Sequence, residues 1–253
     1  MPPPAAVAPL MLVLWDVDHT LIETRGVGRA IFERAFRTAT GKPLHERVAV
    51  TGRTDLDIMC ESLRLNDVDP TNETVRGLSR ALIDGYEEAR AELASRGRAL
   101  PGAVTTLATL AAETDVRQSL LTGNLREVAR IKLEVFKLDR YVDLDAGGYG
   151  ADHTDRAELV RCAQNRATRR FGHPFDNAHT ILVGDTPNDV RAAQEAGVHM
   201  IGVATGDSDV EQLRAAGAEA VLTALEAEAV EKLIRTVVLG PGDRVGAWPE
   251  SSN

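Results

Sequence analysis

Two hydrophobic patterns divide the chain into a helical stretch and a longer stretch in which strands and helices alternate. Short continuous apolar runs predict buried strands, whereas apolar residues that recur every three or four positions predict helices. An apolar run at 10–15 predicts a first strand. Between residues 23 and 96 only the helical spacing occurs, and it predicts helices at 27–40, 55–65 and 72–95.

After residue 97 the two patterns alternate, which is typical of right-handed βαβ units and a parallel sheet covered on both faces. The predicted strands lie at 116–121, 141–144, 180–183, 200–203 and 220–222, and the predicted helices at 103–112, 125–137, 156–171, 188–196, 208–215 and 225–237. The expected fold class is therefore α/β, a doubly wound parallel sheet with an all-helical segment inserted after the first strand. We expect a core domain at 1–22 and 97–240, a helical domain at 23–96 and a tail at 241–253.

Composition narrows the classes of function that the chain can have. It has 253 residues, 29 basic and 38 acidic side chains, and a net charge of −9, which argues against a general affinity for nucleic acid or anionic membranes. Two cysteines give no disulfide framework, and the N-terminal apolar run is too short to cross a bilayer. We expect a cytoplasmic protein without nucleic-acid or membrane partners, and the sequence leaves the oligomeric state open.

Acidic and hydroxyl residues cluster where predicted strands end. Asp16 and Asp18 end the first strand, Thr122 ends the second, and Asp185 and Asp189 follow the strand at 180–183. Ligands of open parallel sheets bind beyond the carboxyl ends of the strands, so these groups should converge. Carboxylates that share a small volume require a cation, and Mg²⁺ is favoured over zinc because no His/Cys ligand cluster accompanies them.

Three motifs in this order and spacing resemble the haloacid dehalogenase superfamily. They are Asp16-Val-Asp-His-Thr20, Thr122-Gly-Asn124 and Gly184-Asp-Thr-Pro-Asn-Asp189. The similarity covers about residues 10–238. The helical insertion resembles the cap of the subfamily that includes phosphoglycolate phosphatase and β-phosphoglucomutase. The resemblance implies a sheet core with a helical cap, Mg²⁺ as cofactor and a small phosphorylated metabolite as substrate.

The resemblance also implies a role for each motif residue. Asp16 would be the nucleophile that forms an aspartyl-phosphate, and Asp18 would protonate the leaving oxygen and then activate water. Asp185 would hold Mg²⁺ together with Asp16 and the Asp18 carbonyl, and Asp189 would support the metal site or mainly cap the following helix. The residues expected to bind the phosphoryl group or the rest of the substrate are Thr122, Gly123, Asn124 and Thr20.

Three positions depart from the family pattern or extend it. The family has a lysine before the third motif, often followed by proline, and Arg156 is the cation expected to replace it here. His19 stands where the family usually has glycine; its backbone N–H can still face phosphate if the side chain points elsewhere. Arg53, in the segment Thr51-Gly-Arg-Thr-Asp55, would bind a substrate carboxylate or second phosphate, or else be a solvated residue before a helix capped by Asp55.

The activity that these features predict is a Mg²⁺-dependent, phosphoglycolate-phosphatase-like hydrolysis of a phosphoric monoester. Three alternatives stay open. A phosphomutase would keep Asp18, so the motifs do not separate it from a phosphatase. A 2-haloacid dehalogenase would need neither Mg²⁺ nor the second aspartate, and a non-catalytic binding protein could retain the fold without the reaction.

Overall fold

The apolar runs of the sequence form the centre of a parallel sheet. The structure is a computed structural model that describes residues 10–239. Its strands are β1 (Met11–Trp15), β2 (Ile22–Glu23), β3 (Arg98–Ala99), β4 (Val116–Thr122), β5 (Gly148–Tyr149), β6 (Thr180–Gly184), β7 (His199–Val203) and β8 (Ala220–Leu222). Six of them form one sheet in the order β5-β4-β1-β6-β7-β8, and all its pairs are parallel. The predicted α/β fold class is confirmed.

Strand β1 lies in the middle of this sheet and is buried on both faces. Val13 is paired with Gln118 of β4 on one side and with Ile181 of β6 on the other. The chain therefore builds one half of the sheet outward from β1, then returns to β6 and builds the other half. Loops leave the sheet in opposite directions at this switch point, and the crevice between them is where parallel sheets bind ligands.

Helices cover both faces of the sheet and form the inserted segment. They are α1 (Val27–Thr40), α2 (Asp55–Leu65), α3 (Asn72–Glu88), α4 (Arg90–Arg96), α5 (Ala103–Ala112), α6 (Arg126–Val135), α7 (Arg156–Phe171), α8 (Pro187–Ala196), α9 (Val210–Ala216) and α10 (Ala227–Leu239). One hydrophobic cluster joins the sheet to α5, α6 and α10, and a second joins its other face to α7, α8 and α9.

A third hydrophobic cluster holds the inserted helices, α1 to α4, which we call the cap. Its buried side chains include Phe36 and Met59 of the cap together with Val128 and Ile131 of α6. The cap thus packs directly on α6, and the antiparallel ribbon of β2 and β3 connects its two ends to the sheet. This packing places the cap above the strand ends of the crevice.

The structure corrects two predicted elements. The third cap helix is two helices, since Ala89 leaves the helical conformation between α3 and α4, and Leu93 of α4 then turns into the cap cluster. The strand predicted at 141–144 is wrong. That segment contacts β4 through the N–H of Asp143, which donates to the carbonyl of Gln118 (2.9 Å), and through the Ser119 hydroxyl, which donates to the carbonyl of Asp143 (2.7 Å). The edge strand that pairs with β4 is β5.

Three further points concern two short strands, the ends of the chain and the hydrophobicity of the helices. The two-residue strands β2 and β3 were not predicted, because so short a segment has no alternation to detect. The predicted tail at 241–253 and residues 1–9 lie outside the described residues. Among the helices between residues 10 and 239, none combines the length and the hydrophobicity that a membrane crossing requires.

Candidate active site

Three buried carboxylates meet at the switch point of the sheet. Asp16 directly follows β1, Asp185 follows β6, and Asp189 lies in the first turn of α8. Each offers a carboxylate oxygen, and these oxygens all lie within 4.8 Å of one another. The sequence places these residues up to 173 positions apart (189 − 16). The parallel pairing of β1 with β6 therefore brings the first and third motifs together.

The electrostatics of this cluster favour a bound cation. Burial and then the charge of Asp189 raise the pKa of Asp16 to about 7. Burial and then the charges of Asp16 and Asp189 raise the pKa of Asp185 to about 9. Both carboxylates thus resist ionisation while no cation compensates them. Because the donors are carboxylate oxygens, the cluster has the chemistry that Mg²⁺ prefers.

Two of the three carboxylates are oriented by hydroxyl and backbone donors. Thr20 donates its hydroxyl to Oδ1 of Asp185 at 3.1 Å. Asp189 accepts hydrogen bonds at Oδ2 from the backbone N–H (3.0 Å) and the hydroxyl (2.6 Å) of Thr186, the N-cap of α8. The capping role considered for Asp189 is therefore present, and its Oδ1 faces the cluster as well. Thr20 supports a carboxylate in this arrangement.

Arg156 supplies the positive charge inside the cluster. It is the first residue of α7, behind the N-cap Asp155, and its side chain is 9% exposed. Its Nη2 donates to Oδ1 of Asp189 and lies 3.4 Å from Oδ1 of Asp16. Within the described residues, its Nε is the one buried side-chain polar atom without a hydrogen-bond partner. A buried N–H without a partner costs free energy, and an anionic ligand that accepted a hydrogen bond from it would remove that cost.

Asp18 points away from the carboxylate cluster, toward α6. Lys132 donates to both of its oxygens, at 2.8 and 2.7 Å, and Asn124 donates its amide to Oδ2 at 2.7 Å. Burial opposes ionisation here, but the charge of Lys132 and the hydrogen bonds from Asn124 and Lys132 outweigh it and hold the pKa of Asp18 below its ordinary value. Asp18 is therefore a carboxylate in the free protein.

Sequence reasoning missed Lys132, which lies in the middle of α6. Its ammonium group is almost fully buried, binds Oδ1 of Asn124 at 2.8 Å, and lies 5.2 Å from the centre of the Tyr86 ring in the cap. The sequence feature that could have identified Lys132 is its position on the apolar face of α6. Val128, Ala129, Ile131 and Leu133 share its burial, and a lysine is seldom buried unless it is paired.

The loop after β4 joins the site to the cap. Thr122 is buried, and its hydroxyl accepts hydrogen bonds from the backbone N–H (3.2 Å) and the side-chain amide (2.8 Å) of Asn124. The carbonyl of Gly123 accepts a hydrogen bond from the N–H of Asp55 at 2.6 Å. A side chain at Gly123 would lie 2.1 Å from the carbonyl oxygen of Arg53. Glycine is therefore required where the cap loop crosses this turn.

Two expectations need correction, one about His19 in the first motif and one about the residue that caps α2. The N–H of His19 donates to the carbonyl of Ile22 at 2.7 Å in a turn with φ of 62°, so that N–H is already used and does not face a phosphate. The cap of α2 is Thr54, whose hydroxyl accepts from Asp57 N–H, and not Asp55. The carboxylate of Asp55 instead accepts a hydrogen bond from the N–H of Leu125 at 2.8 Å, across the boundary between cap and core.

Arg53 lies beside the site but is already paired. Its Nε donates to Asp57 at 2.7 Å and its other nitrogen binds Glu61, both within the cap. A substrate carboxylate would have to displace these partners to bind its guanidinium. The role assigned to Arg53 from the sequence stays a prediction.

A cavity of about 370 Å³ opens between the strand ends and the cap. Its floor contains Asp16, Asp18, Thr122 and Asp185, and its upper wall is formed by α1, α2, α3 and the segment at 44–53. Lys132, Arg156 and Asn124 also border it. All the catalytic groups expected from the sequence therefore border one cleft large enough for a small organic ligand.

Comparison with known proteins shows which family has a sequence similar to this chain. The profile of the family described as haloacid dehalogenase-like hydrolase matches residues 13–194. The chain is 27% identical over 212 residues to "Probable phosphatase IndB" of Dickeya dadantii, covering 83% of this chain and 88% of that protein. It is 25% identical over 201 residues to the phosphoglycolate phosphatase of Agrobacterium fabrum, covering 79% and 82%.

Solved structures agree on the fold. A HAD hydrolase of family IA, variant 3, from Entamoeba histolytica matches with a TM-score of 0.66 and 18% identity, over 90% of this chain and 99% of that chain. The family profile spans the first and third motifs and the inserted cap. The chain belongs to the haloacid dehalogenase-like hydrolase family.

Proposed function

We propose that the protein is a Mg²⁺-dependent phosphatase that hydrolyses a small phosphorylated metabolite through an aspartyl-phosphate on Asp16. The observation that carries this proposal is the convergence of Asp16, Asp185 and Arg156 beneath one cavity, with Asp18 at its side. Relatives named as phosphatases, one of them a phosphoglycolate phosphatase, support the reaction class.

The first step forms one bond to phosphorus and breaks another. A carboxylate oxygen of Asp16 attacks the phosphorus while the ester oxygen leaves, and the protonated carboxyl of Asp18 gives that oxygen a proton. Because Lys132 keeps Asp18 ionised in the free protein, Asp18 must take up this proton before it can donate it. The guanidinium of Arg156, whose Nη2 lies 3.4 Å from Oδ1 of Asp16, would bind the oxygens of the transferred phosphoryl group.

The second step uses Asp18 in its ionised form. It removes a proton from water, whose oxygen attacks the phosphorus and displaces the carboxylate of Asp16, so that phosphate is released and Asp16 is restored. Asp16, Asp185 and the Asp18 carbonyl would hold Mg²⁺, with Asp189 in support. When bound, the ion would neutralise the repulsion between a carboxylate nucleophile and an anionic phosphate.

Phosphate release from an aryl phosphate tests the proposal. We expect hydrolysis with Mg²⁺, its loss in excess chelator and its restoration by added Mg²⁺. Asp16→Asn keeps the shape of the side chain but removes the nucleophile, so turnover should fall to background. Asp84→Asn, at an exposed position of α3, is the matched control and should retain full activity. Unchanged turnover in Asp16→Asn would refute the aspartyl-phosphate.

Product analysis separates a phosphatase from a phosphomutase. A phosphatase releases one inorganic phosphate for each ester consumed, whereas a mutase returns the phosphoryl group to a sugar. We expect release to match consumption with every ester that is turned over. Persistent transfer to a sugar phosphate acceptor without net release would favour the mutase.

A further inference from the structure

We infer that the alcohol part of the substrate is a mostly apolar group, larger than a two-carbon acid and without a carboxylate. The inference rests on the proposed phosphatase function, because it concerns the half of the same cavity that lies opposite Asp16. It is carried by the apolar wall of that half and by the ion pairs that occupy its arginines. It departs from a phosphoglycolate-like substrate.

Part of the cap wall of the cavity is apolar. Its hydrophobic lining residues are Phe32, Leu44, Val48, Val50, Ile58 and Leu82. Val48 and Val50 belong to none of the three hydrophobic clusters, and Val50 is 60% exposed. Apolar side chains that border a cavity but lack a partner in the protein gain most when a ligand supplies the apolar surface. Because the phosphoryl group of the proposed substrate binds at Asp16, the alcohol part of the same ester is the ligand that would contact these side chains.

Two of the three arginines in this wall are already paired with carboxylates of the cap. Arg53 binds Asp57 and Glu61, and Arg47 binds Glu33 at 2.8 Å. Arg29, the remaining cap arginine among the described lining residues, is exposed to water, where an ion pair contributes little. A second negative group in this half would therefore either displace a cap carboxylate from Arg47 or Arg53 or bind Arg29 in contact with water. An uncharged group needs no such exchange.

The cap wall also contains a few hydroxyl groups. Tyr86 and Ser62 border the cavity together with Thr24, so one or two polar atoms on the ligand can be satisfied. The volume of about 370 Å³ exceeds the need of a phosphoryl group alone and falls in the range of sites for small organic ligands. A short alkyl chain or an aromatic ring on the ester oxygen fits both the size and the chemistry.

A series of straight-chain alkyl monophosphates tests this directly. Their leaving groups differ little in acidity beyond the first members, so differences in kcat/KM between ethyl and pentyl phosphate report binding of the chain. Full burial of one methylene corresponds to about a four-fold gain. We expect about a two- to four-fold rise per methylene, and at least about a ten-fold rise from ethyl to pentyl phosphate. Phosphoglycolate should be hydrolysed less efficiently than pentyl phosphate.

Paired substitutions assign the effect to the cap wall. The double change Val48→Thr and Val50→Thr keeps the shape of two poorly packed side chains and adds hydroxyls that apolar chains disfavour. It should reduce the pentyl-to-ethyl ratio of kcat/KM by about three-fold or more. Val104→Thr, at a 41% exposed position of α5 outside the cavity lining, is the matched control and should leave the ratio unchanged.

The outcomes separate this inference from the proposed function. A flat chain-length profile, or phosphoglycolate as the best substrate, would overturn the inference while the phosphatase activity stands. Wild-type ratios in the double variant would overturn the assignment to the cap wall. If no phosphate ester is hydrolysed in the presence of Mg²⁺, the proposed function fails first.

Discussion

The ion pair between buried Lys132 and half-buried Asp18 shows how one side chain can define the ionisation state of another that is distant in the sequence. Both oxygens of Asp18 accept from the Lys132 ammonium, and Asn124 binds both partners. Burial of a charge is tolerated only when such partners replace water. The pair therefore sets both the orientation and the ionisation of the group that is proposed to move the proton.

Replacing Lys132 should impair turnover more than substrate binding. Lys132→Met removes the ammonium group but keeps a long apolar stem, so Asp18 loses its orientation and its counter-charge. We expect kcat to fall by about 100-fold with a smaller change in KM, because Lys132 contacts Asp18 and Asn124 rather than the phosphoryl position. Steady-state kinetics with an aryl phosphate give both constants.

Two further variants make that result specific. Lys137→Met changes an exposed lysine at the C-terminal side of the same helix and should be silent in kcat. Lys132→Arg restores a positive charge and should recover part of the activity. A folded Lys132→Met protein with wild-type kcat, judged folded by its melting temperature and circular dichroism, would show that Asp18 does not depend on this contact.

At the scale of elements, the cap is held over the site by one loop and one helix. The loop before α2 meets the turn after β4 through Gly123 and Asp55, and Asn188 of α8 donates to the carbonyl of Gly52 at 2.8 Å. Helix α6 shares the cap's hydrophobic cluster from the other side. The cap thus has a polar contact next to the chemistry and an apolar contact away from it. We expect the polar contact to break first if the cap opens.

A methyl group at Gly123 should disturb this contact. In Gly123→Ala the new atom would lie 2.1 Å from the carbonyl oxygen of Arg53, so the cap loop or the turn must move. Relieving this clash requires a backbone shift of about 1 Å, and a misplacement of about 1 Å near the reacting groups can lower kcat/KM by about 100-fold. The measurement is kcat/KM for an alkyl phosphate together with the melting temperature.

Gly77→Ala is the matched control for that substitution. Gly77 lies within α3, and a methyl group there meets nothing within 4 Å. Alanine in a helix interior is favoured over glycine by about 0.5–1 kcal/mol, so this variant should melt slightly higher and retain its activity. Equal kinetics in both variants would mean that the cap loop does not need its close approach to Gly123.

At the scale of the whole molecule, the carboxylate cluster links stability to pH and to metal. Burial and mutual repulsion raise the pKa of Asp16 to about 7 and that of Asp185 to about 9, so the folded protein retains protons that the unfolded chain releases near pH 4. Stability without a cation should therefore fall as pH rises from about 4 to about 9. A cation that replaces these protons should reverse the loss.

Magnesium should consequently stabilise the protein more at pH 8 than at pH 5.5. Fewer protons compete for the cluster at the higher pH, and binding adds to the free energy of unfolding. At a Mg²⁺ concentration about a hundred times Kd we expect the melting temperature to rise by about 5–10 °C at pH 8. Thermal melts with chelator or Mg²⁺ at the two pH values provide the measurement.

Asp185→Asn isolates the cluster as the cause. This variant lacks one charge, so at pH 8 in chelator it should melt above the wild type and respond little to Mg²⁺. Asp84→Asn, on the exposed face of α3, should behave like the wild type. An equal response to Mg²⁺ in Asp185→Asn would locate the ion elsewhere.

Local patterns in the sequence determined most of the elements and the positions of the three motifs. Helix α1 begins and ends as predicted because apolar spacing and a terminal glycine act over a few residues, and the same holds for α2, α5 and α7. Asp16, Asp185 and Arg156 were recognised because each stands at the end of a strand or at the start of a helix. The edge strand β5 and the break at Ala89 were not predicted, because a two-residue strand and a single non-helical residue leave no periodic pattern in the sequence.

Only the tertiary structure decided which charged groups became partners. Lys132 lies 114 positions from Asp18, and Arg156 lies 33 positions from Asp189. Spacing along the chain gives no distance between such groups. Their pairing depends on burial, because a charge removed from water must find a partner in whatever the packed elements bring near it. The sequence thus specified the acids at the strand ends, and packing specified the charges that orient and neutralise them.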